Sequence, residues 1–378
     1  MLGDVYKRQK FDNMKKIVII GQWTFPKNKP RAFRCWELAK EFAKEGFDVV
    51  QYALLGNYDY GQEENANGLR IKNLGKSFLG MEDSDDKPIG NISLPKRILL
   101  RLCNDANSYV GCEIYNMIRM ALKREGDIDL LITVAFPHTI HWATSFFINR
   151  EKVKCWIADC GDPFMGNPYF RHPFWGRWLE KRWCRKADYI TIPIENGKSA
   201  YYEEFVEKIK VIPQGFDLDA VKISSYEKHS VPTFAYAGKI YVGKRDPFGF
   251  IEYIRDSKLD VKFVIYSDHP SLINLSSHYP FVEVRKPIAR SEILKQLSKF
   301  DFLINILNDG SVQSPSKLID YTLSQRPILN ISTKPTESQI ETFNEFIGGC
   351  YEKQYKVPNI EDYNIKNVCK KFIDLAGM

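Results

Sequence analysis

Short apolar segments that end at a glycine, each followed by an amphipathic stretch, constrain the fold of this chain more than any other feature of its sequence. The first is Lys16–Ile20 before Gly21, and the pattern restarts with Thr233–Ala237 before Gly238. A short run rich in β-branched residues is typical of a parallel strand that is buried on both faces. Alternation of such strands with helices predicts an α/β fold.

The same pattern predicts strands throughout both halves of the chain. In the first half they are expected at Lys16–Ile20, Val49–Leu54, Leu130–Val134, Val153–Ala158, Tyr189–Ile192 and Ile209–Ile212. In the second half they are expected at Thr233–Ala237, Val261–Tyr266, Phe281–Val284, Asp301–Ile306 and Pro327–Ile331. Two halves of this kind predict two Rossmann-like, doubly wound parallel-sheet domains that face a cleft. Ligands of such sheets bind beyond the carboxyl ends of the strands.

Length and local composition predict the domain organisation. The 378 residues suffice for two domains of about 100–200 residues each. The polar stretch Asp217–Pro232 is the predicted hinge, so an N-terminal domain is expected over residues 14–217 and a C-terminal domain over 218–358. Residues 359–378 are expected to form a helix that packs back on the N-terminal domain. Residues 1–13 carry charges and no apolar segment, and are interpreted as a non-native or disordered leader.

Composition disfavours several classes of protein. The net charge of +7 is small for this length, whereas dedicated nucleic-acid binders are usually more basic. No apolar run is long enough for a transmembrane helix. The eight cysteines form no Cys-x-x-Cys pair, which gives no support for a structural zinc site, and reduced thiols in a cytosol are expected. The absence of G-x-G-x-x-G and Walker A sequences disfavours nicotinamide enzymes and P-loop proteins.

The first segment with chemical content is a predicted helix start. Ser314 followed by a proline fits an N-cap, and the free N–H groups of the first turn attract anions. Lys317 adds a positive charge, and Ser316 shares a face with Asp320, four residues on. A phosphate at the helix start would leave Asp320 within reach of a sugar hydroxyl pair. The alternative is an ordinary capped helix with a solvated edge.

The second segment is the loop after the strand Thr233–Ala237. Gly238 ends the strand, and Lys239, Lys244 and Arg245 follow within seven residues. Fixed cations stabilise a diphosphate leaving group. The alternative is a basic loop that faces solvent. Both segments follow strands of the same half, so we expect them to converge on one diphosphate site.

Four segments along most of the chain resemble the retaining, family-4-type glycosyltransferases, whose fold is GT-B. They are MKKIVIIG, ADYITIPIENGKSAYYEE with KIKVIPQGFD, AGKIYVGKRDP and SPSKLIDYTLSQRPIL. The resemblance implies that Lys239 and Arg245, with Lys244 as an alternative, hold the diphosphate of a nucleotide sugar. It also implies that Asp320, seven residues before Pro327, binds the ribose.

The chain departs from the family pattern at three positions. The family's E-x7-E motif has glutamates where this chain has Val312 and Asp320, so the sequence is closest to an S-x-K-x-x-[ED]-Y branch. The segment Asp159–Phe164 is similar to the family's R-D-x-W/P segment, with Gly161 in place of the arginine.

The resemblance places acceptor contacts on loops of the N-terminal half. The predicted acceptor-binding residues are Gly21, Gln22, Trp23, His138 and Asp162. His138 is expected either to hydrogen-bond the transferred sugar or to act on the acceptor, and His141 is a second candidate. The alternatives are a satisfied loop histidine and an ordinary turn at Asp162.

A helix over Phe174–Lys186 is predicted to be both aromatic and basic. Its tryptophans fall within one broad arc, next to a stripe of cations at a spacing of four; the residues are Trp175, Trp178, Trp183, Arg177, Lys181 and Arg185. Such a helix either lies on an anionic membrane surface or packs into the core with a solvated basic edge.

These patterns together predict a glycosyltransferase. It would move a sugar from a nucleotide-diphosphate sugar to a saccharide or lipid-linked acceptor in cell-surface polysaccharide synthesis, with retention of configuration. His138, Lys239 and Arg245 are the predicted catalytic residues, and neither a metal nor another cofactor is expected. The expected location is the cytoplasm, peripheral to the inner face of the membrane. The alternatives are a non-catalytic nucleotide-sugar-binding homologue and a nucleotide-sugar 2-epimerase.

Overall fold

The computed structural model describes residues 14–27, 29–76, 93–95, 111–167, 172–307 and 317–378. These residues fall into two compact units: the first comprises residues up to Phe216 together with Asp362–Met378, and the second comprises Asp217–Glu361. The predicted leader, residues 1–13, lies outside the described residues. No helix in the described part of the chain is long and apolar enough to cross a membrane.

Twelve strands are described. Those of the first unit are β1 (Lys16–Ile20), β2 (Asp48–Ala53), β3 (Arg70–Asn73), β4 (Ile128–Ala135), β5 (Val153–Cys160), β6 (Tyr189–Ile192) and β7 (Ile209–Val211). Those of the second unit are β8 (Thr233–Ala237), β9 (Lys262–Tyr266), β10 (Val282–Arg285), β11 (Phe302–Ile306) and β12 (Ile328–Ile331).

Helices alternate with these strands. In chain order they are α1 (Pro30–Lys44), α2 (Gly61–Asn67), α3 (Gly111–Arg124), α4 (Thr139–Phe147), α5 (Gly176–Lys186), α6 (Phe248–Asp256), α7 (Leu275–His278), α8 (Arg290–Leu297), α9 (Lys317–Leu323), α10 (Glu337–Ile347) and α11 (Ile365–Ala376). Short 3₁₀ helices occur at Glu195–Ala200, Glu203–Lys208, Pro270–Leu272 and Ile360–Tyr363.

The first unit contains a seven-stranded sheet in the order β3-β2-β1-β4-β5-β6-β7, and every neighbouring pair is parallel. Its strands are buried because helices cover both faces: α3, α4 and α5 pack on one face, and α1 and α11 on the other. The strand order reverses between β1 and β4. The carboxyl ends of these two strands therefore form the switch point at which doubly wound sheets bind ligands.

The final helix belongs to the first unit. Phe372 of α11 meets Phe42 of α1 edge to face, with ring centroids 6.4 Å apart. The helix predicted over residues 359–378 is too long, because a 3₁₀ turn occupies Ile360–Tyr363 and Asn364 caps the helix that follows. The Asn364 side chain accepts a hydrogen bond from the Lys366 N–H, which fixes the helix start.

The second unit contains a five-stranded parallel sheet in the order β10-β9-β8-β11-β12. Phenylalanine rings in contact with one another fill one side of its core; they are Phe234, Phe250, Phe263, Phe302 and Phe343. The strand order reverses between β8 and β11. The second switch point therefore lies where the loop after β8 begins.

The predicted α/β class with parallel sheets is confirmed, and the predicted strands are present with their ends within two residues. The prediction omits β3, whose sequence Arg-Ile-Lys-Asn buries one side chain, Ile71. An edge strand of this kind carries neither an apolar run nor a clear alternation.

Candidate functional site

Tyr321 ties helix α9 to the end of strand β8 in the second unit. The backbone N–H of Ala237, the last residue of β8, donates a hydrogen bond to the Tyr321 hydroxyl at 2.7 Å. The hydroxyl lies 3.3 Å from the carbonyl oxygen of the same residue. The buried Tyr321 ring therefore fixes the start of α9, and with it Lys317, beside the predicted cationic loop.

Lys317 is a buried cation at this switch point. Its Nζ lies 4.3 Å from the centre of the Tyr236 ring and has no hydrogen-bond partner among the described residues. Gly238 is adjacent, since a Cβ at that position would lie 3.6 Å from the Lys317 Cδ. Burial, with a contribution from the Arg245 charge, holds the pKa of the Lys317 ammonium well below its usual value.

Arg245 supplies the second cation. Its guanidinium lies over the Tyr241 ring, 4.8 Å from the centre, and its buried Nε has no hydrogen-bond partner in the described ranges. The loop that carries it is a tight turn, because the Asp246 carboxylate accepts hydrogen bonds from the N–H groups of Gly243 and Phe248. The acid next to Arg245 thus holds backbone groups instead of neutralising the arginine.

Two neighbouring cations without an anionic partner are costly in a protein interior. No described carboxylate forms an ion pair with Lys317 or Arg245, and the Arg245 charge disfavours the charged form of Lys317. A bound anion would remove this cost. A diphosphate carries the required negative charge and offers several hydrogen-bond acceptors. The site is therefore suited to binding phosphate groups.

Asp320 lies one turn along α9 from Lys317. Its carboxylate accepts a hydrogen bond from the Arg290 Nε at 2.7 Å. Burial raises the pKa of the Asp320 carboxyl, and Arg290 acts in the opposite direction. The sequence does not indicate this hydrogen bond, because Arg290 is thirty residues from Asp320. Arg290 engages one carboxylate oxygen of Asp320, the residue that is predicted to bind the ribose. The predicted ribose contact therefore depends on the other oxygen.

The remaining predicted residues of this site are less enclosed. The side chains of Lys239 and Lys244 are exposed, and the Lys239 carbonyl accepts a hydrogen bond from the Tyr236 hydroxyl at 2.8 Å. Ser314 and Ser316 lie outside the described residues, so the predicted helix start remains a prediction.

The loop after β1 carries three predicted acceptor-binding residues of the first unit. Gly21 lets the loop pass close to α1, because a Cβ there would lie 2.4 Å from the Cys35 Sγ and something would have to shift. Gln22 is buried, and its Oε1 has no hydrogen-bond partner in the described part of the chain. The Trp23 ring lies under the Lys29 ammonium, 4.3 Å from its centre.

His138 and His141 follow β4 and are both buried. Burial is the main cause that lowers the pKa of the His138 imidazole well below its usual value, and it lowers the pKa of His141 to about 3. Both rings are therefore neutral near pH 7. A neutral His138 can exchange a hydrogen bond with a sugar hydroxyl but cannot act as a charged acid. Asp162, by contrast, is exposed.

A cluster of charged side chains that the sequence motifs did not indicate lies at the end of β5. The buried Asp159 carboxylate accepts hydrogen bonds from the Arg34 guanidinium at 2.8 and 3.2 Å and from the Thr191 hydroxyl at 2.7 Å. Arg31 lies 3.4 Å from the same carboxylate. A Cβ at Gly161 would lie 2.7 Å from the Arg31 guanidinium carbon, so an arginine of α1 fills the space beside the glycine. The sequence feature that could have indicated this cluster is Asp159 itself, an acid within a strand that is otherwise buried and apolar.

The aromatic side chains of α5 do not share one environment. Trp183 is completely buried, whereas Trp178 is 57% exposed. Phe174, just before the helix, is 89% exposed. The Arg182 guanidinium lies 4.0 Å from the centre of the Phe146 ring and 5.8 Å from that of Trp178. Trp183 therefore lies in the core, as one of the two predictions for this helix expects. Trp178 lies on the surface.

The predicted basic stripe of α5 is partly neutralised. Lys181 and Arg185 both pair with Glu204, and Arg177 lies 5.5 Å from the centre of the Tyr202 ring. Glu204, in the segment Glu203–Lys208, supplies the acid, while Arg177 and Arg185 of the predicted basic edge remain exposed.

No protein-family model matches this sequence, and no curated protein matches it. Solved structures match in fold. A glycosyltransferase from Rickettsia africae ESF-5 aligns with a TM-score of 0.60 at 10% identity, over 96% of this chain and 98% of its own. Anabaena Alr3699/HepE in complex with UDP-glucose aligns with a TM-score of 0.60 at 11% identity, over 96% of this chain and 100% of its own.

The chain has the GT-B fold. The predicted fold class, two Rossmann-like parallel sheets of this type, is thereby confirmed. A UDP-GlcNAc 2-epimerase from Methanocaldococcus jannaschii also aligns, with a TM-score of 0.54 at 11% identity, over 96% of this chain and 99% of its own. Because one fold serves both activities, the function has to be argued from the site.

Proposed function

We propose that this protein is a glycosyltransferase whose donor is a nucleotide-diphosphate sugar. The observation that carries the proposal is the pair Lys317 and Arg245, two cations without a described anionic partner at the switch point of the second sheet. The solved structure of Anabaena HepE with UDP-glucose supports a donor of this class, because that protein shares the fold.

The diphosphate is the leaving group in this reaction, and its negative charge grows in the transition state. Lys317 and Arg245, with Lys239 or Lys244 from the same loop, would stabilise that charge without reorganising. Asp320 would accept hydrogen bonds from the ribose through the oxygen that Arg290 does not hold. Fixed cations at the diphosphate make a metal ion unnecessary for this step.

Retention of configuration follows from the resemblance described above. The bond from the anomeric carbon to the diphosphate oxygen breaks, and the acceptor oxygen bonds to the same face of that carbon. A leaving-group oxygen takes the acceptor proton, so no side chain is assigned as nucleophile.

The acceptor is proposed to meet the loops after β1, β4 and β5 of the first unit. Gln22 offers a buried amide oxygen that can accept a hydrogen bond from a sugar hydroxyl. Trp23 provides an apolar ring face, and neutral His138 provides a hydrogen-bonding ring nitrogen. Asp162 is the exposed member of this set. We propose a saccharide or lipid-linked acceptor in cell-surface polysaccharide synthesis.

A lipid-linked acceptor requires contact with a membrane surface. Phe146 and Trp178 are exposed aromatic side chains beside Arg182, and Phe174, just before the helix, is exposed as well. Rings beside a cation suit an anionic bilayer interface. The proposed location is the cytoplasmic face of the membrane. Vesicles with anionic lipid should bind the wild-type chain at low salt, and Arg182→Gln should weaken binding by about 1 kcal/mol. Failure of the wild type to bind would remove the membrane contact from the proposal.

The experiment for the donor site is a thermal-shift panel with UDP, GDP, ADP and TDP. A ligand at 100 times its Kd should stabilise the wild type by about 2.7 kcal/mol. Lys317→Met should raise the melting temperature of the free protein, because an apolar side chain replaces a buried amine that has no described hydrogen-bond partner, and should abolish the ligand-induced shift. Lys299→Met, which removes an exposed lysine of the same unit, is the matched control. Retention of the full shift in Lys317→Met would refute the donor site.

The 2-epimerase is the second candidate, since a solved epimerase shares the fold. Incubation of the protein with the donor and an acceptor extract separates the possibilities. A transferase releases free nucleoside diphosphate, whereas an epimerase converts the donor sugar without net release. A non-catalytic homologue would bind the nucleotide and leave the donor unchanged.

A further inference from the structure

Three potential metal ligands converge in the core of the first unit, at the carboxyl ends of β4 and β5. His138 immediately precedes α4, His141 lies in its first turn, and Cys160 is the last residue of β5. A spacing of three places the two histidines on one side of a helical turn. Cys160 is nineteen residues beyond His141, so only the sheet brings the thiol to the histidines.

The ligand atoms already have nearly the separation that a metal requires. The Cys160 Sγ lies 3.4 Å from the His141 Nε2, and one ligand atom from each of the three residues lies within 4.8 Å of the others. In a tetrahedral zinc site with Zn–N of about 2.0–2.1 Å and Zn–S of about 2.3 Å, nitrogen and sulfur lie roughly 3.6 Å apart. Since these separations extend to 4.8 Å, closure onto an ion would need movements of up to about 1.5 Å.

A buried hydrogen-bond chain orients the His141 ring. Its Nδ1 lies 2.8 Å from the Thr133 hydroxyl oxygen, which also accepts a hydrogen bond from the Trp156 Nε1 at 2.8 Å. Metal-binding histidines usually engage their second nitrogen in this way, which fixes the ring and the tautomer. With Nδ1–H donated to Thr133, Nε2 directs its lone pair towards Cys160.

The chemistry of the donor set selects the metal. Two imidazoles and one thiolate suit Zn²⁺ or Cu⁺ and not Mg²⁺ or Ca²⁺, which require oxygen ligands. Burial lowers the pKa of both imidazoles, so they are in the neutral form that binds metal. Burial raises the pKa of the Cys160 thiol, and the charge of an ion would compensate the thiolate formed on binding.

We propose that His138, His141 and Cys160 bind one Zn²⁺ ion, with the fourth coordination position left to a non-protein ligand. Binding forms one zinc–sulfur and two zinc–nitrogen bonds and releases the Cys160 thiol proton to solvent. No other group of three or more His, Cys, Asp or Glu side chains in the described ranges lies close enough to share an ion. The ion would take one ring nitrogen of His138, and this imidazole also hydrogen-bonds to the Asp162 backbone.

Metal content tests the site independently of any transferase activity. Chelator-treated protein is dialysed against ZnCl₂ and then against metal-free buffer, and zinc is measured by mass spectrometry. The wild type should retain about one ion per chain, and Cys160→Ser and His141→Ala should each retain less than about a tenth of that. Cys155→Ser is the matched control, because Cys155 is a buried thiol of the same strand outside the cluster.

A second measurement needs no variant and so does not depend on the folding of the mutants. Co²⁺ added to the metal-free wild type should produce a thiolate-to-cobalt charge-transfer band that saturates at one equivalent, and Zn²⁺ should abolish it. Zinc retention no higher than in Cys160→Ser, or the absence of the cobalt band, would show that His141 and Cys160 form only a buried hydrogen bond.

Discussion

Replacing Glu180 by glutamine should make the stability of the first unit less dependent on pH. Glu180 lies on α5 and is completely buried. Its carboxylate accepts hydrogen bonds from the Tyr202 hydroxyl at 2.9 Å and from the Met165 N–H at 3.4 Å. No described lysine or arginine pairs with it. Burial therefore raises the pKa of the Glu180 carboxyl from 4.5 to about 7.

The size and sign of the effect follow from this pKa. The unfolded chain loses the Glu180 proton near pH 4.5, whereas the folded chain keeps it until about pH 7. Between these values the folded state binds the additional proton, so the free energy of unfolding falls as the pH rises. At 1.36 kcal/mol per pH unit the loss amounts to about 3 kcal/mol. It is complete above pH 7 and absent below pH 4.5.

The assay is urea unfolding followed by tryptophan fluorescence at pH 5 and pH 8. All seven tryptophans lie between Trp23 and Trp183, so the signal reports the first unit alone. The stability of Glu180→Gln relative to the wild type should improve by about 2–3 kcal/mol from pH 5 to pH 8. Any cost of the glutamine amide that does not depend on pH cancels in this difference. Glu151→Gln, at an exposed position, is the control. Equal differences at the two pH values would refute the reasoning.

Three further predictions concern the donor site and helix α5. Asp320→Asn should weaken nucleotide binding by roughly 1–3 kcal/mol and leave inorganic pyrophosphate binding unchanged, measured by titration calorimetry; equal losses would place Asp320 on the phosphates. Nucleotide binding should be accompanied by proton uptake, because a diphosphate raises the lowered pKa of Lys317, and calorimetry in buffers of different ionisation enthalpy would detect it. Trp183→Ala should destabilise the first unit by about 3–5 kcal/mol, whereas Trp178→Ala should leave stability near the wild-type value and lower vesicle binding.

Strands could be predicted from the sequence where nearly all of their side chains are buried, because burial requires apolar residues. β1, β6 and β8 begin and end at the predicted residues, because each is a short apolar run enclosed by sheet neighbours and helices. β3 was not predictable, since an edge strand with one buried side chain has no such constraint. The start of α11 was misplaced because its N-cap, Asn364, is preceded by a 3₁₀ turn of similar composition.

The site was predictable where its chemistry is local in the chain. Gly238, Arg245 and Lys317 follow strand ends, and the structure brings them around the Tyr236 ring. The hydrogen bond from Arg290 to Asp320 was not predictable, because it joins two residues that are thirty positions apart, on helices with strand β11 between them. Spacing can identify a side chain that would bind a ligand. Spacing cannot identify a side chain that is distant in the sequence and already forms a hydrogen bond with that residue, as Arg290 does with Asp320.

The partners of two buried acids in the first unit contrast with the surroundings of Lys317 in the second. In the first unit the Asp159 carboxylate is matched by Arg34, and Glu125 is matched by Lys16 and Lys72, so these charges need no ligand. In the second unit Lys317 has no such partner among the described residues, and a lowered pKa is the consequence. A protein that only had to be stable would replace this lysine by an apolar residue of similar length. The stability that the free protein loses at Lys317 is available as binding energy for an anion, which is why we propose the donor site there.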